Sequence, residues 1–310
     1  MLSIALCTYN GERYLEEQLK SFTAQSLLPD ELVVCDDCSH DGTVGILKTF
    51  SCSAPFNVKV IQNERPLGII RNFSKAIKNC SGDYIAISDQ DDVWMSKKLE
   101  ESVKVLKIME NEYGKEIPLL VHSDLTVVDE YLNVLNTSMM KSQHINNEDN
   151  PSRALGTLLA NNYVTGCTVV INKALKNLSL PIPREAIMHD RWLALVAASS
   201  GKIGFVDQPL ILYRQHGNNQ VGARKYFSFK NVKKLLESSP MSEQILKTIL
   251  QNKQIWENYH NPYVGKYIYF LKENNLLGLW KMGVRMQGII RNIGYYYYLF
   301  RMRKEIASIL

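Results

Sequence analysis

The chain has 310 residues, of which 45% are hydrophobic and 22% charged, and its formal net charge is +5. This size and balance favour a soluble enzyme with one large α/β domain and an appendage, and they exclude a small binding module. No N-terminal stretch combines a basic region, an apolar core and a small-residue cleavage site, so the predicted location is the cytoplasm.

The first half of the chain alternates short apolar runs with helical patterns, which predicts a mostly parallel sheet. Strands are predicted at 2–7, 32–36, 58–62 and 84–88. Helices are predicted at 12–25, 42–50, 68–79 and 96–112. Further strands are predicted around 119–128, 167–171 and 202–206, and residues 139–150 are predicted to form a long polar loop over the site.

Three of the predicted strands end in polar residues. Thr8 and Tyr9 follow the first strand, Asp36 and Asp37 the second, and three further carboxylates, Asp89, Asp91 and Asp92, end the fourth. Ligands of open α/β sheets bind at the carboxyl ends of the strands, so these side chains can converge on one ligand. Crowded carboxylates raise one another's pKa unless a cation relieves the repulsion, and oxygen ligands suit Mg²⁺ or Mn²⁺.

The acidic segment therefore predicts a divalent cation that carries a diphosphate. A carboxylate-rich turn that caps the helix beginning near Ser96 is the alternative. Cys35 and Cys38 form a CxxC pair, but no second pair completes a zinc site and Cys35 ends a buried strand. All six cysteines are accordingly expected to be reduced thiols, most of them buried.

A second acidic position lies further along the chain. Pro181 and Pro183 precede an amphipathic helix at 187–196 that opens on Asp190. A carboxylate at a helix start can act as a general base that takes a proton from a hydroxyl. It can also simply stabilise the helix dipole, by about 0.3–1 kcal/mol.

Several short segments together resemble family 2 glycosyltransferases. They are SIALCTYN at 3–10, DDCS at 36–39 and SDQDD at 88–92, in the order and spacing of that family. SDQDDVW at 88–94, TGCT at 165–168, HDRW at 189–192 and YRQHGN at 213–218 are most similar to its bacterial rhamnosyltransferase-like branch. The resemblance covers residues 1 to about 220 and implies a GT-A fold, a Rossmann-like α/β fold with a mostly parallel central sheet.

The resemblance also implies roles for individual residues. Asp190 is the implied catalytic base and Asp91 the implied metal ligand. His216 is expected to complete the metal shell or to bind the diphosphate. Asp89 is expected beside the ribose or the metal-bound waters, and Asp36 at the nucleotide base. The remaining implied donor-binding residues are Thr8, Tyr9, Arg71, Asn72, Asp92 and Arg214.

The predicted function is an inverting, Mg²⁺- or Mn²⁺-dependent glycosyltransferase. The branch implies transfer of rhamnose from dTDP-L-rhamnose to a bacterial surface glycan or a lipid-linked glycan acceptor. Alternatives are a UDP-hexose donor, or a non-catalytic sugar-nucleotide-binding scaffold in a glycan assembly complex. The chain lacks GxGxxG after its first strand and lacks a P-loop motif, and Thr8–Glu12 is not the glycine-rich basic loop expected of a nucleotidyltransferase.

The chain divides into a predicted catalytic domain at 1–220 and a helical region at 221–310, where basic and aromatic residues interleave. Lys281, Arg285 and Arg291 interrupt the apolar stretch at 276–304, so it is not expected to span a membrane. It is expected to lie as a helix on an anionic membrane surface, or to pack on the catalytic domain or on a second subunit of a homo-oligomer. Nucleic-acid binding is disfavoured because the chain has no recognised RNA- or DNA-binding module.

Overall fold

The computed structural model describes residues 1–143, 145, 151–217 and 239–310. Its strands are β1 (Leu2–Thr8), β2 (Glu31–Asp36), β3 (Asn57–Gln62), β4 (Tyr84–Ser88), β5 (Val93–Trp94), β6 (Leu119–Val128), β7 (Val134–Asn136), β8 (Val170–Asn172) and β9 (Lys202–Arg214). Its helices are α1 (Leu15–Thr23), α2 (Thr43–Ser51), α3 (Ile69–Asn79), α4 (Lys98–Tyr113), α5 (Met139–Ser142), α6 (Pro151–Ala160), α7 (Lys173–Ser179), α8 (His189–Ser200), α9 (Ser239–Tyr259), α10 (Pro262–Lys272), α11 (Leu276–Lys281), α12 (Ile289–Arg301) and α13 (Arg303–Ile309).

The strands form one sheet in the order β3-β2-β1-β4-β8-β6-β9-β5, and β7 pairs with β6. The first four strands are parallel, as the βα alternation predicts. The register pairs Thr8 with Asp36 and Leu6 with Ser88, so the polar residues that follow β1, β2 and β4 meet at one edge. This edge is where a parallel sheet binds ligands.

Hydrophobic cores cover both faces of the sheet. On one face, α1, α2 and α4 contribute Leu15, Leu47 and Leu99, all fully buried. On the other face, α3, α6 and α8 pack with the C-terminal helices in one continuous cluster. A strand buried on both faces needs apolar residues throughout, and every residue of β1 is buried. Edge strand β3 instead alternates exposed and partly buried residues.

Several segments differ from the sequence-based expectation, and β9 continues to Arg214 although the strand is expected to end near 206. The expected strand at 167–171 begins later, because Gly166–Thr168 forms a 3-10 turn before β8. The expected loop at 139–150 begins as helix α5, which the Ser138 hydroxyl caps by accepting a hydrogen bond from the Lys141 backbone N–H at 3.1 Å. Residues 144 and 146–150 of that loop lie outside the described residues.

The C-terminal helices also differ from expectation, because 276–304 is not one helix. Gly283 and Gly288 have φ of 82° and 87°, which L-residues with side chains rarely adopt, and they separate α11 from α12. The predicted domain boundary at 220–221 lies outside the described residues, so the division into two domains stays a prediction. Across the described ranges, no helix is both long enough and apolar enough to cross a membrane.

Candidate active site

A cavity of about 2260 Å³ opens at the carboxyl edge of the sheet. Residues that follow β1 and β4 form one side of it, and the start of α8 forms another. The segment 286–295, which includes the start of α12, forms the far wall. The cavity therefore extends from the polar strand ends to the C-terminal helices.

The loops that follow β1 and β4 are joined by a single side chain, Gln90. Its amide oxygen accepts a hydrogen bond from the Tyr9 backbone N–H at 2.8 Å, and its amide nitrogen donates to the Tyr9 carbonyl at 3.0 Å. Gly11 permits this approach, because a Cβ there would lie 2.3 Å from the Gln90 amide oxygen. This clamp fixes the position of Tyr9, whose side chain is exposed beside the cavity.

The two aspartates after β2 have different surroundings. Asp36 is fully buried, and its carboxylate accepts hydrogen bonds from the Thr8 hydroxyl at 2.8 Å and from the Ser39 backbone N–H at 2.9 Å. Asp37 lines the cavity and accepts hydrogen bonds from the backbone N–H groups of Leu67 and Gly68, at 2.7 and 2.9 Å. Asp36 therefore braces β1 against β2, whereas Asp37 holds the loop that leads into α3.

The acidic segment after β4 brings its first carboxylates to the cavity wall. Asp89 and Asp91 line the cavity together with His216, whose Nε2 lies 2.8 Å from Asp91 Oδ2. Burial raises the pKa of Asp89 to about 7, and the nearby carboxylates of Asp91 and Asp190 add to the rise. The site concentrates negative charge where a bound cation would relieve it.

The residues present fit a divalent cation at Asp91 and His216. One carboxylate oxygen and one imidazole nitrogen face the cavity, and adjacent ligands of an octahedral ion with bonds near 2.1 Å lie about 3 Å apart. Among the described residues, Asp89, Asp92 and Cys167 also have potential ligand atoms within 4.8 Å of one another. That group fits less well, because Asp92 and Cys167 are buried and burial raises the pKa of the thiol well above its ordinary value.

Arg214 lies behind the acidic segment and supports it. Its guanidinium donates hydrogen bonds to the carbonyl oxygens of Asp91 at 2.9 Å and Glu130 at 2.7 Å, and it forms an ion pair with Glu17. Its backbone N–H donates to Asp92 at 3.1 Å. Only 1% of Arg214 is exposed, so the guanidinium positions the Asp91 backbone from behind the cavity wall.

Asp190 occupies the first turn of α8 and lines the cavity. Only 9% of the residue is exposed, and burial raises the pKa of its carboxyl to about 6. The Arg191 backbone N–H donates to Asp190 Oδ1 at 2.5 Å. A buried carboxylate with a raised pKa near neutral pH, open to a cavity, has the properties of a general base.

The neighbouring His189 is held by stacking. Its ring lies on that of Phe73 from α3, with centroids 3.7 Å apart and planes 18° from parallel. Burial lowers the pKa of His189 to about 3, so the imidazole is neutral at physiological pH.

The structure brings some of the predicted site residues to the cavity and leaves others behind it. The predicted residues on the cavity wall are Thr8, Tyr9, Asn72, Asp89, Asp91, Asp190 and His216. Asp36, Arg71, Asp92 and Arg214 are not on that wall. Asn72 is itself 2% exposed and donates to the Cys35 carbonyl at 2.8 Å, so its amide joins α3 to β2. The predicted donor contacts of all these residues stay predictions.

Sequence reasoning assigned no individual role to several residues of the wall. Asp37 and Gln90 hold loops through partners about 30 and 81 positions away, which no local pattern reveals. Arg13 and Arg291 are cations on the wall. The sequence signal for Asp37 and Gln90 is their place inside DDCS at 36–39 and SDQDD at 88–92.

Comparison with known proteins assigns the family. The family model "Glycosyl transferase family 2" matches residues 3–113. A dTDP-rhamnosyl transferase of Shigella flexneri, RfbG, is 30% identical over 73% of this chain and 76% of its own length. The Escherichia coli protein WfgD, a UDP-Glc:alpha-D-GlcNAc-diphosphoundecaprenol beta-1,3-glucosyltransferase, is 27% identical over 63% of this chain and 70% of its own.

The fold comparison agrees with the family. A mannosyltransferase of Pyrobaculum calidifontis, solved with GDP-Man and Mn²⁺, aligns over 99% of this chain and 86% of its own, with a TM-score of 0.53 and 14% identity. Its likeness concerns the fold alone, and it confirms the GT-A architecture expected from the sequence. With the sequence match to a rhamnosyl transferase, it follows that the chain belongs to glycosyltransferase family 2 and resembles its rhamnosyltransferase-like members.

Proposed function

We propose that the protein is an inverting, divalent-cation-dependent glycosyltransferase that moves rhamnose from dTDP-L-rhamnose to a hydroxyl of a lipid-linked glycan acceptor. The observation that carries the proposal is that Asp190 and the Asp91–His216 pair line the same cavity. A base and an anion-stabilising site in one cavity are what displacement of a nucleoside diphosphate requires.

In this mechanism the acceptor hydroxyl loses its proton to Asp190 as its oxygen attacks the anomeric carbon. The bond from that carbon to the diphosphate breaks on the opposite face, so the configuration inverts. Asp190 begins the step ionised, which its pKa of about 6 permits at neutral pH. The proton therefore ends on the Asp190 carboxyl.

The departing diphosphate needs positive charge. Asp91 and His216 would hold a Mg²⁺ or Mn²⁺ ion, which supplies charge neutralisation to the leaving group when bound. Arg13 and Arg291 also line the cavity and can contribute to the same neutralisation. Arg214 keeps the Asp91 backbone in position for this arrangement.

The sequence likeness to RfbG favours dTDP-L-rhamnose as donor. The likeness to WfgD, whose name gives UDP-glucose, favours the second candidate, a UDP-hexose donor. The name of WfgD also gives a diphosphoundecaprenol acceptor, which supports a lipid-linked acceptor in bacterial surface glycan synthesis at the cytoplasmic face. If the protein binds the donor but transfers no sugar, the alternative is a non-catalytic scaffold in a glycan assembly complex.

A donor panel tests this proposal. The purified chain is mixed with dTDP-L-rhamnose or UDP-glucose, with Mg²⁺, Mn²⁺ or a chelator, and thermal stabilisation is measured. Nucleoside diphosphate release is then measured after bacterial membranes are added as the source of the lipid-linked acceptor. We expect cation-dependent stabilisation with dTDP-L-rhamnose, and release of the diphosphate when the membranes are present. A preference for UDP-glucose would make a UDP-hexose the donor. Stabilisation by a nucleotide sugar without diphosphate release in the presence of bacterial membranes would support the scaffold.

The cation site has its own control. His216→Ala should remove the cation-dependent part of nucleotide stabilisation, whereas His40→Ala, at an exposed histidine outside the cavity wall, should leave it unchanged. If nucleotide stabilisation depended equally on the cation in both variants, His216 would not be a ligand of the cation.

A further inference from the structure

Helix α12 exposes a continuous apolar face. Its residues Ile289, Ile293 and Phe300 are 80%, 66% and 52% exposed, and Ile290 and Tyr297 are also exposed. At 100° per residue these five side chains fall within an arc of about 100° on one side of the helix. Single exposed apolar residues are ordinary, but five on one face indicate an interaction surface.

The apolar face continues onto α11. A groove of about 540 Å³ is lined by Trp280 and Arg285 together with Ile289 and Ile293. Trp280 is half-exposed, and its ring packs edge-on against Tyr296 of α12 with centroids 5.7 Å apart. The exposed surface therefore extends from one helix to the next and includes a large aromatic side chain.

Basic residues accompany this face. Residues 276–310 contain six basic residues, Lys281, Arg285, Arg291, Arg301, Arg303 and Lys304, and one acidic residue, Glu305. The guanidinium carbon of Arg285 lies 5.1 Å from the Trp280 ring centroid, and that of Arg303 lies 4.7 Å from the Phe300 ring centroid. Exposed aromatic and aliphatic residues next to basic side chains are typical of helices that lie in an anionic bilayer surface.

The same face enters the active-site cavity. Ile289, Ile290 and Ile293 line the cavity as well as the exposed surface, and Arg291 lies beside them on the wall. An apolar path therefore leads from the outside of α12 into the cavity that contains Asp190. A purely hydrophilic acceptor has no use for such a path.

We propose that the exposed face of α12 docks on an anionic membrane surface, and that the apolar part of the acceptor enters along Ile289, Ile290 and Ile293. The acceptor part rests on the proposed function, whereas the docking part does not. A second copy of the chain fits less well, because an isologous contact through this face would bring the basic residues of both copies together.

Sedimentation with vesicles tests the docking part. The full chain is mixed with vesicles of phosphatidylcholine alone or of phosphatidylcholine with phosphatidylglycerol, and the bound fraction is measured at low and high salt. We expect binding to the anionic vesicles that high salt weakens. Arg303→Gln with Lys304→Gln should lower the partition coefficient roughly fivefold per removed charge.

Apolar variants separate docking from catalysis. Tyr297→Glu with Phe300→Glu changes exposed residues outside the cavity wall and should lower vesicle binding roughly tenfold or more. Ile108→Glu, at an exposed position on α4, is the matched control and should bind vesicles like the native chain. Nucleotide-induced stabilisation should be retained in all variants, which shows that they are folded.

Each outcome has a distinct meaning. If nucleotide stabilises the native chain but the chain binds neither kind of vesicle, the docking proposal is overturned and the proposed function is unaffected. If the chain binds anionic vesicles but no nucleotide sugar stabilises it, the docking proposal is supported and the proposed function is overturned. A native dimer that ignores vesicles and becomes monomeric in the Phe300→Glu variant would assign this face to a second copy, against the proposal.

Discussion

The two ends of the cavity are built in different ways. The end at the sheet is polar, and its loops are fixed by side-chain hydrogen bonds such as the two between Gln90 and Tyr9 and the one that the loop before α3 donates to Asp37. The end at the C-terminal helices is largely apolar, and its elements are held by packing in the core shared with α8. Asp190 lies between these two ends.

This difference suggests a division of tasks. Directional hydrogen bonds hold the polar end in one geometry, as the proposed nucleotide site requires, because each donor and acceptor fixes a distance and an angle. Apolar packing depends on the buried area and the shape of the partner, and much less on the direction of individual contacts. Changes at the polar end should therefore affect nucleotide binding, and changes at the apolar end should affect stability or acceptor use.

The largest expected effect is at Asp190, where the two ends meet. Asp190→Asn removes the proposed base and should lower the transfer rate by about 10²–10⁴-fold, while nucleotide-induced thermal stabilisation stays nearly unchanged. Asp207→Asn, at an exposed aspartate of β9, is the matched control and should keep full activity. Native transfer rates in the Asp190→Asn variant would exclude Asp190 as the base.

The pH dependence of transfer is expected to follow the same carboxyl. Burial raises the pKa of Asp190 to about 6, and only its ionised form accepts the proton. The rate should therefore be constant above about pH 7 and fall about tenfold per pH unit well below pH 6. A profile of kcat/KM measures this limb, and a limb centred near the ordinary aspartate pKa of about 4 would point to a different, exposed group.

At the apolar end, Gly156→Ala should act on stability alone. A Cβ there would lie 2.7 Å from the carbonyl oxygen of Gly283, a backbone atom that cannot rotate away. The free energy of unfolding should fall by about 1–3 kcal/mol in denaturant titrations, with unchanged nucleotide affinity. Gly45→Ala on α2, where a Cβ meets nothing within 4 Å, should show no such loss.

At the polar end, Gly11→Ala should act mainly on nucleotide binding. The new Cβ would displace the Gln90 amide, which is the flexible end of a side chain, and so break two hydrogen bonds worth about 0.5–1.5 kcal/mol each. We expect several-fold weaker nucleotide binding by calorimetry. In a Gln90→Ala variant, which already lacks these hydrogen bonds, Gly11→Ala should weaken nucleotide binding little further. If the losses in binding free energy of the two substitutions were fully additive, Gly11 would not act through Gln90.

The sequence predicted the sheet end of the molecule well, because its information there is local. Strand ends, turn residues and helix starts are encoded within a few positions, and Asp190 does lie in the first turn of α8. The roles that the sequence did not predict depend on contacts between distant positions. Asp37 and Gln90 act on loops about 30 and 81 residues away, and Arg214 reaches Glu17 across 197 positions.

The C-terminal end was predicted less well for a different reason. The pattern at 276–304 predicts one amphipathic helix, but Gly283 and Gly288 adopt positive φ and interrupt it. Glycine inside a helical pattern is often tolerated, so its sequence alone does not decide between a helix and a turn. The turn is what allows α12 to expose one face and line the cavity with the same residues.

The stacked rings of Phe73 and His189 link α3 and α8, two helices that both line the cavity. Helix α3 begins at the loop held by Asp37, and α8 bears Asp190 in its first turn. With 3.7 Å between the ring centroids, α3 cannot move toward α8 without moving it as well. If the proposed donor binds at that loop, settling of the loop would be transmitted to Asp190, so we expect the donor to bind before the acceptor.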